Sequence, residues 1–197
     1  MSLSFLHRPL VFVRHGQTAW NATRLVMGQI DIPLDPTGEA QAAAAAAEVA
    51  ALPVTSVWCS PLGRCRATAA ALLALRPDLP LTVLDDLAER HWGIHQGGDD
   101  RLRPPRHHTP PEGESAAAFA ERTLRALAAV DDAGLPVVVA HSGTFRVVLD
   151  LYGRDSDGPP VANGAPILLT VDGPKSVKHL HPKLQEGYAP DSNDPDL

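Results

Sequence analysis

Four short apolar runs punctuate the chain, and three of them stop abruptly at polar residues able to do chemistry. Pro9 to Arg14 empties into Arg14-His15-Gly16-Gln17-Thr18, Ser56-Val57-Trp58-Cys59 stops at Ser60-Pro61, and Val137 to Ala140 stops at His141-Ser142. Leu81 to Leu84 is the fourth, followed by a short polar link before Glu89. Runs of this length, β-prone and bounded by turn formers, predict strands. Helical stretches separate them. Thr37 to Leu52 is dominated by alanine, the best helix former, and Pro61 to Leu75 carries a proline near its first turn, where the missing N–H does no harm. Glu114 to Asp131 reads as a third helix, halted near Gly134-Leu135-Pro136, and a fourth starts near Ser142.

Strands alternating with helices of these lengths predict an α/β protein whose sheet is largely parallel and covered on both faces. In such sheets ligands bind outside the carboxyl ends of the strands. The Arg14-His15 and His141-Ser142 pairs fall at such ends. Residues 97–113, rich in Gly, Pro, Asp, Arg and His, read as a loop over or beside the site. One domain is expected over residues 1–182, with the polar tail 183–197 frayed.

Composition narrows the class. A chain that is 44% hydrophobic and 20% charged is neither disordered nor a membrane protein by these criteria. It holds no apolar run approaching the roughly 18 residues of a transmembrane helix, and no basic-then-apolar leader, so a cytoplasmic location is expected. Cys59 and Cys65 lie six apart, outside any zinc or redox spacing, and read as small buried residues. The net charge of −6 disfavours nucleic-acid binding, yet leaves room for a local positive pocket around an anionic small molecule. The pattern marks no exposed apolar stripe and so does not speak to oligomeric state.

A phosphoryl-transfer site without a metal must meet the phosphate oxygens with fixed cations and backbone donors. Arg14 and Arg64, read at adjacent strand ends, have the planar, permanently charged groups for such a clamp. His15 supplies a nucleophile, since a neutral imidazole can attack phosphorus and split one displacement into two. Glu89 is the candidate acid for the leaving alkoxide. His141, where a strand meets a helix start, can donate to phosphate while helix amides add positive charge. Each has an ordinary alternative when taken alone: His15 as a structural histidine, Arg64 as a helix-surface pair, Glu89 as a solvated carboxylate. Their recurrence at strand ends favours a shared site.

Beyond spacing, the motifs carry a resemblance. Arg14-His15-Gly16-Gln17-Thr18-Ala19-Trp20-Asn21 is similar to the run Arg-His-Gly-Glu-Ser/Thr-x-Trp-Asn of the histidine phosphatase superfamily, with Gln17 in place of the usual glutamate. Gly28 to Leu34 with Gly38 and Gln41, the block Ser60 to Ala69, the segment Leu87-Ala88-Glu89 with Gly93, Gly113-Glu114-Ser115, and Val137 to Gly143 with Arg146 extend the match from about Pro9 to Val171. The resemblance is to the phosphoglycerate mutase-like group, which includes cofactor-dependent mutases and α-ribazole phosphatase-like enzymes. It implies a three-layer α/β/α sandwich around a mixed sheet. It also implies that His15 becomes phosphorylated, that Arg14, Arg64 and His141 hold the phosphate, that Glu89 donates the proton, and that Thr18, Asn21 and Ser142 help position phosphate or substrate. No metal or other cofactor is required.

Two departures bear on function. Where the family often has Gly-x-Trp-Glu-Gly, this chain has Gly93-Ile94-His95-Gln96-Gly97, losing a carboxylate read as structural. The loop 97–113 is short beside the substrate-covering insertions of mutases, which favours water as final acceptor. The expected activity is therefore metal-independent hydrolysis of a small phosphorylated metabolite. A cofactor-dependent phosphoglycerate mutase and a catalytically silent phosphate-binding or regulatory module on the same fold are the alternatives. Arg101, Arg103, Arg106, His107 and His108 stand in the loop either as a solvated charged surface or as a site for a second anionic group. Adjacent histidines lack the spacing that brings two imidazoles to one ion, so His107 and His108 are not read as metal ligands.

Overall fold

Alternation along the strands decides the layering. In a computed structural model, which describes residues 9–130, 134–170 and 172–177, strand β1 (Leu10–Arg14) sends Leu10 and Phe12 to one face of a sheet and Val11 and Val13 to the other. Strand β4 (Leu135–Ala140) repeats this with Val138 and Ala140 against Val137 and Val139. Both faces are apolar, so both need cover. Helices α2 (Pro36–Ala50) and α3 (Gly63–Leu75) bury Ala45, Ala46, Val49, Cys65, Ala69 and Leu72 on the Val11 side. Helices α4 (Ala116–Ala129) and α5 (Ser142–Leu151) bury Ala126, Leu127, Phe145 and Val148 on the Phe12 side. A three-layer α/β/α sandwich follows, each fully buried Leu or Phe contributing about 1.5–3 kcal/mol.

The sheet runs β3-β2-β4-β1-β5-β6, with β2 at Val54–Cys59, β3 at Leu81–Val83, β5 at Pro166–Thr170 and β6 at Gly173–Ser176. The first four strands are mutually parallel, whereas β5 and β6 pair antiparallel, so the sheet is mixed. Because β4 lies between β1 and β2, Arg14 and Arg64 do not follow neighbouring strands, which corrects the expectation from sequence. They are brought together by flanking the same central strand from either side.

The anticipated strands and helices are present with ends moved by up to two residues, apart from the Glu114–Asp131 end and the tail 183–197, which lie outside the described residues. Strands β5 and β6 had no counterpart in the sequence reading. β5 opens on a proline, and Gly173-Pro174-Lys175-Ser176 has no apolar residue; pairing with β5 at the sheet edge makes it a strand, where proline is tolerated. The short helix α1 (Ala19–Ala22) was also unforeseen; it is closed by a reciprocal capping box between Thr18 and Asn21. Among the described residues no helix is long and apolar enough to cross a membrane.

Candidate active site

Parallel register brings two histidines together. Arg14 is paired with Ala140, and the next residue of each strand is a histidine; the His15 amide donates to the Ala140 carbonyl at 3.1 Å. The two imidazoles therefore meet edge to face, ring centroids 5.3 Å apart. The turn after His15 is tight: a Cβ at Gly16 would collide with the Gly38 carbonyl at the start of α2, so only glycine fits there.

His15 is buried, and its Nδ1 lies 2.7 Å from the Gly16 carbonyl. A carbonyl only accepts, so Nδ1 carries the proton and Nε2 keeps its lone pair. Burial, then the charges of Arg64 and Arg14, hold the His15 pKa well below the usual 6.5, so the ring is neutral at pH 7. His141 is likewise held neutral, by burial first and then by Arg64 and His15; its Nε2 is 2.7 Å from the Ser60 hydroxyl.

The arginines are oriented chiefly by backbone carbonyls, with the Asp31 carboxylate 3.6 Å from Arg64 Nη1. Arg64, fully buried in the first turn of α3, donates from Nη2 to the Gly28 carbonyl (2.7 Å) and from Nη1 to the Ile30 carbonyl (3.0 Å). Arg14 donates from Nη1 to the Val161 carbonyl at 2.6 Å, and burial lowers its pKa to about 10, so it stays charged. Each leaves a buried Nε–H with no acceptor among the described residues. Two uncompensated donors on two cations beside the His15 ring can together receive an anion.

Glu89 follows the turn Asp85–Leu87 and points its carboxylate at the start of α5, accepting from the Gly143 amide (3.1 Å) and its neighbour Arg90 amide (2.7 Å). A Cβ at Gly143 would run into that carboxylate. His141 N-caps α5 without a side-chain cap bond.

Arg14, His15, Asn21, Arg64, Glu89 and Ser142 line one cavity of about 590 Å³, whereas His141 is fully buried behind it, its ring against His15, and is not part of the lining. Thr18 does not line it; fully buried, its hydroxyl meets Met27 and Asn21 and acts on the cavity only by placing Asn21. Asn163 reaches in from the far side of the chain, donating to the His15 carbonyl at 2.9 Å. Seven arginines line the cavity against three carboxylates, so the pocket is positive within an acidic protein. Of the loop residues singled out from sequence, Arg103 and Arg106 reach the cavity; Arg101 pairs with Asp99 in solvent, and His107 stacks on His108 outside it. Among the described residues no group of three His, Cys, Asp or Glu is placed to share a metal ion.

The model of the histidine phosphatase superfamily (branch 1) matches residues 10–160, most of the chain and every residue of this constellation except Asn163 and the sheet edge. The chain belongs to the histidine phosphatase superfamily. It is an enzyme by that membership and by its phosphatase- and mutase-named relatives. The chain is 34% identical over 160 residues to 2,3-bisphosphoglycerate-dependent phosphoglycerate mutase 2 of Gloeobacter violaceus, covering 71% of this chain and 73% of that one. It is 31% identical over 151 residues to the uncharacterized phosphatase PhoE of Bacillus subtilis, covering 74% and 78%. A solved phosphoglycerate mutase from Thermus thermophilus superimposes with a TM-score of 0.69 at 32% identity, over 82% of this chain and 92% of that one.

The Gln96 departure has a structural account. Its Oε1 accepts the Gln29 amide at 2.8 Å, holding the segment whose Gly28 and Ile30 carbonyls orient Arg64. An amide does this as well as a carboxylate. The sequence reading missed several lining residues. Arg90 and Trp92 stand next to Glu89, with Arg90 and Arg103 stacked on the Trp92 ring at 4.3 and 4.6 Å, and adjacency to the candidate acid was the available signal. Asn163 had none, since only tertiary contact brings it to His15. Cys59 and Cys65 are buried, burial pushing the Cys59 thiol up to about 12 and Cys65 upward too, so both are inert small core residues.

Proposed function

We propose that this enzyme hydrolyses a small phosphomonoester through a phosphohistidine, without a metal. The observation that carries the reading is His15: its proton sits on Nδ1, leaving the Nε2 lone pair at a cavity with two unsatisfied arginine Nε–H donors. Phosphate binds Arg14, Arg64 and His141, with Asn21 and Ser142 at the rim. His15 Nε2 attacks phosphorus and the P–O bond to the alcohol breaks. Glu89 gives its proton to the departing oxygen, and the Gly16 carbonyl steadies the cationic ring. Glu89 then takes a proton from water as that water displaces His15 from phosphorus, releasing phosphate and restoring both groups.

A cavity of about 590 Å³ suits a metabolite. Arg90, Arg103, Arg106 and Arg146 in its wall favour a substrate with a second anionic group. Burial, with Arg106 and Arg103 close by, lowers the Arg146 pKa, a crowding of like charge that an anion relieves. That wall, and the mutase names among the relatives, support phosphoglycerate mutase as the second reading. The experiment is hydrolysis of a panel of phosphorylated metabolites in chelator, with 3-phosphoglycerate plus 2,3-bisphosphoglycerate included. Release of phosphate from one metabolite is expected; isomerisation without release would replace the phosphatase with the mutase. His15→Ala should abolish turnover and acid-labile labelling, and an active His15→Ala would end the phosphohistidine reading.

A further inference from the structure

We infer that Arg122 is a positioning residue for Glu89, clamping the backbone that carries the carboxylate while Glu114 fixes the clamp. Arg122 sits on α4 and does not line the cavity. Its guanidinium has five N–H donors, and five acceptors surround it. Nη1 donates to the Asp86 and Ala88 carbonyls (2.8 and 2.5 Å) and Nη2 to the Glu89 carbonyl (3.0 Å). The remaining two donors go to the Glu114 carboxylate, at 2.6 and 2.8 Å.

Three of the four carbonyls from Asp86 to Glu89 thus end on one side chain. Gln29 Nε2 adds a second donor to the Glu89 carbonyl at 3.0 Å, so this residue is gripped from two elements. The Arg122 and Glu114 side chains are only 13% and 15% exposed, so water screens the pair little. At the other end Glu89 has little freedom: its carboxylate accepts the Arg90 and Gly143 amides, and Gly143 has no room for a Cβ beside it. A clamped backbone and a slotted carboxylate fix the direction in which a proton is delivered. Lysine cannot replace the clamp, because a point charge with three donors cannot span three carbonyls and a carboxylate.

The inference rests on Glu89 being the proton donor, and the test separates the two. Wild type, Arg122→Lys, the double variant Arg122→Met/Glu114→Gln and Glu89→Gln are assayed on p-nitrophenyl, phenyl and methyl phosphate, with thermal unfolding followed in parallel. The double variant leaves no lone buried charge if the single one folds poorly. For both Arg122 variants kcat/KM, which reports departure of the leaving group and not the later hydrolysis of the phosphohistidine, is expected to fall on the order of 10- to 100-fold on phenyl and methyl phosphate. On p-nitrophenyl phosphate, whose leaving group needs little protonation, the loss is expected within about threefold. An equal loss on all three substrates in both folded variants, or no loss, would overturn the clamp. A uniform loss in Glu89→Gln would instead overturn the proton-donor reading and this inference with it. A selective loss in Glu89→Gln beside a uniform one at Arg122 defeats the clamp alone.

Discussion

Acid should unfold this protein earlier than its carboxylates alone would require. His15 and His141 are buried and held neutral, each with its pKa well below 6.5, whereas in the unfolded chain both titrate near 6.5. Between the folded and unfolded values the unfolded state binds the extra protons, so stability rises with pH across that window and is lost as pH falls below 6.5. Lowering the pH from 7.5 to 5.5 costs about 1.4 kcal/mol for each histidine, and roughly 2.7 kcal/mol for the two. Carboxylates contribute below this window: Asp99, held at about 2 chiefly by its hydrogen bonds from Arg101, loses its advantage only under pH 5. Urea unfolding followed by tryptophan fluorescence between pH 7.5 and 5.5 measures the slope directly. His141→Gln should remove about half of the pH dependence and His15→Gln a similar share. A flat profile in the wild type, or the same slope in both variants, would refute the claim that these rings are buried and neutral.

Other outcomes follow from the packing and the cavity. Gln96→Glu keeps the oxygen that accepts the Gln29 amide, so kcat/KM should stay within about threefold of wild type, a change of under 1 kcal/mol; a large gain would show that the missing carboxylate is chemical. Arg103→Ala removes a cation stacked on Trp92 and should raise KM for substrates with two anionic groups about tenfold while sparing p-nitrophenyl phosphate; uniform KM values would place the arginine outside the substrate site. Gly143→Ala should depress kcat more than stability, because the added methyl meets the Glu89 carboxylate at the cavity wall; steady-state rates beside urea melts decide. Leu127→Ala, on the buried face of α4, should cost about 2–5 kcal/mol with KM unchanged.

Much of this was legible in the sequence because the decisive information is local. A strand of alternating or fully apolar residues that ends in Arg14-His15-Gly16 states both the element and its chemistry, and Ser60 to Thr68 does the same for the helix carrying Arg64. Strand order was not local. Nothing near Arg14 says that β4 intervenes before β2, and Gly173-Pro174-Lys175-Ser176 is a strand only because β5 offers it an edge. Arg14, His15, Arg64 and Glu89 belong to local motifs and all line the cavity. Thr18 was expected to help position phosphate or substrate; its hydroxyl turns inward to Met27 and Asn21, so any such effect runs through Asn21, and Asn163 was invisible because it reaches His15 from 148 residues away in the chain.

The partners of the arginines set how much charge each presents to the cavity: Arg103 and Arg106 line it while paired with Asp100 and with Asp150 and Asp157. Arg14, Arg64, Arg90 and Arg146 line the cavity and donate chiefly to backbone carbonyls: Val161; Gly28 and Ile30; Arg106, His108 and Glu114; Ser156 and Gly158. Carbonyls orient a guanidinium without cancelling its charge. Arg122, outside the cavity, is paired two-pronged with a carboxylate and neutralised. The consequence is electrostatic and has a sign. Net charge −6 predicts that added salt, by screening repulsion, speeds the encounter with a dianionic substrate. A positive cavity predicts the reverse, since screening there weakens attraction. We expect kcat/KM for phosphomonoesters to fall as sodium chloride rises from 20 to 300 mM, with Arg103→Ala flattening the decline. A rise with salt would mean that the field of the whole protein, and not the arginine-lined cavity, governs how substrate arrives.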